Sequence, residues 1–448
     1  MIKKLTYLVE KYRHGDTANS FMLAFTQSVV AFIFIIVDFI FSKKMDVYSF
    51  GVWKQMFFII GILVPLLSFG VPEGFKYFIA KENNRNLYFS NMLFMLLACT
   101  AVGFIVFLFV NLFSYFDWIQ IGDYYLISIL FPLGFLFFNL NKALRYVNIN
   151  DKKVLLNTKV LSLFFVPTLL VILIFGFYFE RVTHYYLWIG LFIYLLVFGA
   201  PLYTLIKKSS LLFNFKSVRK KTIRQMLKVG FPLYLSTFIG MLIVNFDKGI
   251  VSLFENKATF AIFSVGAMEI PVFAMLSAAF SQQTYPQLVR LMSSGQKEEA
   301  KKIWMKTTIK VSYITYPMIL ILMVLAKPFL FFIYSNEYGD AVVIFQIYLL
   351  VGLLRNNYYG ALITASGNTK FITYYAVLTL VFNVTLSLIL YSWLGINGIV
   401  YGTLMSAVVI NFLQLNHEGA LGLYLNKMLS NKILITLTVL ILIFFYFS

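Results

Sequence analysis

Asp38, Lys54, Asp247, Lys248, Glu269 and Arg355 each fall inside a long apolar run of this chain. An ionised side chain at the centre of a membrane helix costs about 2.5–3.5 kcal/mol on insertion scales, so each needs a partner, water or a route to the interface. Their chemistry is limited. Cations can hold a phosphate, acids can hold a proton or a cation, and opposite charges on adjacent helices can pair. No Ser, Cys or His stands at a spacing that suits nucleophile–base catalysis. Cys99 is the only cysteine, and His14, His184 and His417 are scattered at the ends of apolar runs. Disulfides within the chain and clustered metal ligands are therefore not expected.

Helical phase sorts these charges. Asp247 and Lys248 sit in "VGFPLYLSTFIGMLIVNFDKGIVSLF", residues 229–254. Neighbours on a helix point about 100° apart, so the two do not pair with each other. Asp247 shares a stripe with Ser236 and Gly240, as Asp38 does with Ser20, Ala24, Gln27 and Ala31. Small and polar stripes turn inward, because lipid offers them nothing. Asp247 is expected to find a cation from the other half of the chain, with Lys54 the candidate. Lys54 and Lys248 can also snorkel to the interface. Glu269, deep in "VGAMEIPVFAM", cannot, so a neighbouring helix must supply a cation or the carboxyl stays protonated. Pro271 just after it frees a backbone carbonyl and predicts a bend. Arg355 shares a face with Tyr348, Gly352 and Tyr359 and is followed by Asn356 and Asn357. Asp38, Asp247 and Glu269 are thus candidates for gating or ion coupling, with interhelical ion pairing as the plainer alternative.

The elements that must position them are membrane helices. Hydrophobic residues make up 60% of the 448 and charged residues only 12%, about half the charge of an ordinary soluble protein. Apolar runs at 20–41, 47–70, 88–113, 121–141, 157–179 and 185–206 read as spans. After a break come 229–254, 258–281, 307–334, 341–361, 371–392 and 396–415. This is an all-α polytopic membrane protein of twelve spans, with a thirteenth run at 432–448. Residues 1–19 read as an interfacial helix, and the first run is too long for a cleavable leader. With the N-terminus inside, only Lys43, Lys44, Arg181 and Lys257 fall in outer loops, so positive charge fixes the orientation. The +19 net charge then follows from topology and attraction to anionic lipid, with no nucleic acid implied.

The chain divides into a six-helix lobe at 20–206, a basic linker at 207–228, a second six-helix lobe at 229–416 and an extension at 417–448. The linker, "KKSSLLFNFKSVRKKTIRQMLK", interleaves basic and apolar residues and reads as an amphipathic segment on the membrane surface. "KALRYVNINDK" at 142 resembles "GALITASGNTK" at 360, an offset of 360 − 142 = 218. "DVYSFGVWKQM" at 46 resembles "ATFAIFSVGAM" at 258, an offset of 258 − 46 = 212. Both are near half the chain, which implies two parallel pseudo-repeats about an axis along the membrane normal.

Five stretches carry a resemblance: 48–81, "VGFPLYLSTFIGMLIVNFDK" (229–248), "SQQTYPQLVRLMSSGQKEEA" (281–300), "LAKPFLFFIYSNEYGDA" (325–341) and 378–406. They resemble the polysaccharide-export branch of the multidrug/oligosaccharidyl-lipid/polysaccharide flippase superfamily, the bacterial O-antigen and capsule repeat-unit flippases. The likeness runs over most of 20–416 and rests on ordered loose motifs. It implies a twelve-helix, two-lobed transporter of the bacterial cytoplasmic membrane that alternates between inward- and outward-open states. It further implies an undecaprenyl-pyrophosphate oligosaccharide as substrate, no cofactor, and a polysaccharide polymerase and chain-length machinery as partners. Arg355, Lys54 and Lys248 would then be cavity cations. Lys76, Arg145 and Arg290 would line a cytoplasmic vestibule that draws in the anion. The chain departs from the expected cationic cavity in balancing three intramembrane bases with three acids. Two other readings remain at this stage: a cation-coupled exporter of small molecules from the multidrug branch, and a membrane polysaccharide polymerase or ligase. The last needs a large outer loop that the sequence lacks.

Overall fold

The computed structural model describes residues 35–81, 84–115, 125–150, 211–270, 273, 284–356, 360–367 and 369–447. The expected interfacial helix at 1–19, most of the first span, and the spans at 157–179 and 185–206 lie outside the described residues. The chain separates into two compact units, residues 1–238 and 239–448. Among the described residues there is no β-strand, and five helices are long and apolar enough to cross a membrane.

In the first unit, α1 (35–44) turns through Met45 and Asp46 into α2 (Val47–Leu66). Asp46 caps α2, accepting from the Ser49 amide at 3.0 Å and from the Ser49 hydroxyl at 2.6 Å. That satisfies backbone donors the first turn leaves unpaired. The sequence reads one span over 47–70, but α2 ends at Leu66 and α3 begins anew as Val71–Lys81. Phe69 and Gly70 adopt positive φ (46° and 76°), which no helix continues through. A Cβ at Gly70 would meet the Gly230 carbonyl, and one at Gly74 would meet Met226 backbone. Only glycine permits this crossing.

Next come α4 (Arg85–Tyr115), α5 (Tyr125–Asn150), a 3-10 turn (Phe215–Ser217) and α6 (Lys220–Phe254), which begins in the first unit and ends in the second. Helix α6 starts nine residues before the expected 229. Lys, Arg, Gln and Met are good helix formers, and Thr222 and Met226 are buried, so the second half of the basic linker is helix rather than surface strap. At about 1.5 Å per residue its 35 residues outrun the hydrocarbon core.

In the second unit, α7 (Lys257–Gly266) opens on an Asn256 cap that accepts from the Thr259 amide at 2.8 Å. The sequence reads a continuous span over 258–281. Instead α7 stops at Gly266, five residues before Pro271, and 268–270 are not helical. A Cβ at Gly266 would meet the Ile344 side chain at 2.6 Å and the Ala341 carbonyl at 2.8 Å, so α7 ends in tight contact with a neighbour. The rest of the unit is α8 (284–293), α9 (Lys297–Val324), α10 (Ala326–Ile333), α11 (Ala341–Asn356), α12 (Ala361–Ala365), α13 (Thr369–Leu394), α14 (Ile396–His417), α15 (Leu421–Leu429) and α16 (Lys432–Phe447). The span read at 307–334 is two helices that break at Leu325. The run at 432–448 is bent 87° from α15, the two together counting as one further candidate span. Gly398 and Gly402, one turn apart, would collide through any Cβ with Leu390 and Ser387 backbone, so α13 and α14 pack backbone to backbone.

Candidate functional site

The turn at 45–46 folds α2 back along α1, and this brings Lys54 to Asp38. The ammonium donates to Asp38 Oδ2, and both side chains are about one-fifth exposed. Lys54 also lies 5.4 Å from the Phe50 ring centroid, and Phe41 and Trp53 of the same two helices meet edge-on at 4.7 Å. A second ion pair in this unit, Lys142 to Glu73, ties α5 to α3. Sequence reasoning missed it. Its signal was the "GVPEG" break, which turns Glu73 inward at the start of α3, where it is buried. Lys76 reaches the residue next to Arg145: its ammonium sits 4.9 Å over the Tyr146 ring.

The second unit treats its charges differently. Asp247 is fully buried on α6 and accepts from the Tyr348 hydroxyl on α11. The Tyr348 ring is edge-on to Phe263 at 6.2 Å, which fixes its direction. Thr403 stands beside the same carboxylate and donates to Asn383 Oδ1 at 3.3 Å. Ser387 donates to Asn383 Oδ1 at 3.0 Å and to the Ile399 carbonyl at 3.1 Å. This Asn383–Ser387–Thr403 group is buried, and sequence reasoning missed it too. The signal was there: Asn383 and Ser387 are four apart on α13, opposite the small-residue ridge "GIVYG" of α14. Lys248, the next residue after Asp247, is half-buried. The sequence pairs Asp247 with Lys54. In the structure Lys54 is held by Asp38, and Asp247 by Tyr348.

Arg355 lies two turns after Tyr348, on the same face of α11 and about 10 Å further along the axis. Its guanidinium donates to Glu269 Oε1 at 3.4 Å, across from the non-helical stretch after α7. The neighbouring-helix cation that Glu269 requires is therefore present. The contact is long for an arginine–carboxylate bond, and the Glu269 side chain is 59% exposed while that of Arg355 is 26% exposed. Arg290 is exposed on α8, where its carbonyl accepts from the Ser293 hydroxyl at 2.9 Å. Along one face of α11 thus come the buried acid of α6, held by a neutral phenol, and then an arginine with a loosely bound counter-ion. The first can take up a proton or cation. The second can exchange its carboxylate for another anion.

Known proteins bear on this arrangement. Residues 17–292, more than half of the chain, match the family described as polysaccharide biosynthesis protein. No curated protein sequence matches. Among solved structures, an inward-facing multidrug resistance MATE family transporter of the MOP superfamily shares 15% identity, covers 86% of this chain and 94% of its own, and gives a TM-score of 0.62. The lipid II flippase MurJ, in an inward closed conformation, shares 11% identity over 96% of this chain and 98% of its own, with a TM-score of 0.64. The Vibrio cholerae MATE transporter VcmN in its bent form shares 14% over 94% and 98%, with a TM-score of 0.54. At these identities the likeness is one of fold, that of a multi-pass membrane transporter. Taken with that fold, the match over 17–292 makes this chain a member of the polysaccharide biosynthesis protein family.

Proposed function

We propose that the chain is a flippase that carries undecaprenyl-pyrophosphate-linked oligosaccharide repeat units from the cytoplasmic to the outer leaflet by alternating access. In this reading it lies in the bacterial cytoplasmic membrane with its N-terminus inside. Its two six-helix lobes span 20–206 and 229–416. The family match supports it, since a polysaccharide biosynthesis family with a transporter fold needs a membrane step for its lipid-linked intermediate. The observation that carries it to a site is Arg355. A guanidinium inside an apolar helix, loosely held by an exposed Glu269, is poised to trade that carboxylate for a pyrophosphate. The phosphate binds more strongly because it offers two adjacent acceptors to a planar fork. Lys76 and Arg145 gather anions at the cytoplasmic mouth and Lys248 supplies further positive charge, while Lys54 is committed to Asp38. The polyprenyl tail stays in lipid while the head crosses, so the headgroup is never transferred uncompensated through hydrocarbon.

Asp247 serves as the coupling group in this proposal. Taking a proton or cation there changes the charge of a fully buried carboxylate that accepts from a neutral phenol. The test is complementation of surface polysaccharide in a strain lacking the gene. Arg355→Ala should abolish the polysaccharide at normal protein level, and Arg355→Lys should restore little, because an ammonium lacks the fork. Normal polysaccharide in Arg355→Ala would remove the arginine from the site. The buried acid also fits a cation-coupled exporter of small molecules. Under that reading the strain would lose dye efflux and keep its polysaccharide.

A further inference from the structure

The stretch that leads into α6 is not a free strap. Three side chains on the first two turns of α4 grip its backbone. The Leu212 amide donates to Asn86 Oδ1 at 3.1 Å, and the Asn214 amide donates to Ser90 Oγ at 3.0 Å. Ser90 in turn donates to the Leu212 carbonyl at 3.4 Å. Asn91 uses both ends of its amide: Nδ2 donates to the Ser217 carbonyl at 2.9 Å, while Oδ1 accepts from the Arg219 amide at 2.8 Å. Ser90 and Asn91 are fully buried by this arrangement. Such a ladder fixes one face of residues 212–219 inward and therefore the other face outward.

The outward face is amphipathic in an unusual way. Leu212 is 69% exposed and Phe215 68% exposed, with Phe213 exposed beside them. Phe94 of α4 braces the Phe215 ring edge-on at 5.9 Å without covering it. Lys216, Arg219, Lys220, Lys221 and Arg224 follow, all exposed, and residues 207–228 contain no Asp or Glu. A clamped backbone that holds large apolar side chains in the open, next to five cations, is costly in water. It is natural at one boundary only, where acyl chains meet anionic headgroups. Helix α4 is 31 residues long, so its first two turns reach the end of the hydrocarbon core and place the ladder at that boundary.

We propose that residues 211–224 form a binding site for anionic phospholipid. Leu212, Phe213 and Phe215 enter the leaflet, and Lys216, Lys220 and Lys221 take the phosphate headgroups. In the topology proposed above this is the cytoplasmic leaflet, but the site itself does not depend on that orientation or on the transported substrate. The apolar wedge selects lipid over soluble phosphate or an acidic protein, because only a lipid supplies both halves of the match. The site opens directly into α6, whose Met226 and Gly230 cross Gly74 and Gly70 at backbone contact. Anionic lipid would thereby set the position of the α6 start against α3.

The test needs no oligosaccharide. In the full-length chain, Cys99→Ser with Leu212→Cys gives one labelling site for an environment-sensitive fluorophore. The protein is placed in nanodiscs of phosphatidylcholine alone or mixed with phosphatidylglycerol, with doxyl-labelled lipid as quencher. Quenching should be about twofold greater with phosphatidylglycerol and should decline at high salt. Lys216→Gln, Lys220→Gln and Lys221→Gln together should erase the lipid dependence while leaving the melting temperature unchanged, since all three side chains are exposed. Equal quenching in both lipids, or a dependence that survives the triple replacement, would overturn the site. A surface meant for an acidic soluble protein would give the first of these results.

Discussion

The corner between α1 and α2 and the corner between α6 and α7 are built from the same local chemistry and put to different uses. Asp46 caps one second helix through the Ser49 amide, and Asn256 caps the other through the Thr259 amide. Phe50 and Phe260 follow four residues after each cap, with exposures of 0% and 1%. The caps align the corners at an offset of 256 − 46 = 210, two less than the offset that residue similarity suggests. On that register Asp38 aligns with Lys248, and Asp247 stands one place out of step. One residue on a helix is a rotation of about 100°. It sends Asp38 to a cation on the returning helix, where the pair is partly wet. Asp247 turns instead into the interior, to a neutral phenol. The first arrangement holds a corner together; the second leaves a fully buried carboxylate on a neutral donor, the group proposed above for coupling.

The largest effect that would separate the two acids is on transport. Asp247→Asn keeps the volume and still accepts from Tyr348, yet it cannot gain or lose a charge. With Asp247 as the coupling group proposed above, transport should fall more than about tenfold, each tenfold step being roughly 1.4 kcal/mol, and lose its dependence on pH with protein level preserved. Asp38→Asn should cost transport no more than about threefold. Polysaccharide complementation of the two variants side by side is the measurement. Equal losses would erase the functional distinction.

Stability sharpens the same contrast. Tyr348→Phe removes the donor from a fully buried carboxylate and should destabilise by about 2–3 kcal/mol. Asp247→Asn in the same chain should recover part of it, since an uncharged amide is cheaper to leave unpartnered. Lys54→Met should cost less, about 1–2 kcal/mol, because Asp38 keeps some access to water. A double-mutant cycle on Asp38 and Lys54 should return a coupling near 1 kcal/mol by thermal unfolding in detergent. A larger coupling there than at Asp247–Tyr348 would invert the comparison.

The sequence showed what periodicity and charge can show. The all-helical membrane class, most described span positions and the need of Glu269 for a cation were legible, because runs of apolar residues and an acid within them have few solutions. The break at 67–70 was not legible, and the one at 267–270 only in part, through the bend that Pro271 predicts. They go with close contacts of Gly70 with the Gly230 backbone and of Gly266 with the Ile344 side chain, pairs separated by 160 and 78 positions. The Glu73–Lys142 pair and the Asn383 group were hidden for the same reason, since each needs two helices placed before its partners are adjacent. Asp247 was singled out from its stripe alone, but its donor was not. One tyrosine of 29 carries no mark of the carboxylate it will meet.

The smallest expected effect tests whether the two corners really share their cap chemistry. Asp46→Ala and Asn256→Ala should each cost about 1 kcal/mol at neutral pH, the usual loss when a capping side chain is removed. They should part company in acid. Partial burial of Asp46 opposes its charge, but the hydrogen bonds from the Ser49 hydroxyl and amide outweigh it and hold the carboxyl below its ordinary 3.8. A carboxyl lowered in the folded state stabilises fully above its unfolded value, and that contribution is lost as pH falls through the folded value. The difference between wild type and Asp46→Ala should therefore be flat above about pH 5 and shrink below pH 3.8. For Asn256→Ala the difference should stay constant over the same range, because an amide does not titrate there. Unfolding curves of both variants between neutral pH and pH 3 would show it. A constant difference at Asp46 would mean that its cap does not depend on the charge.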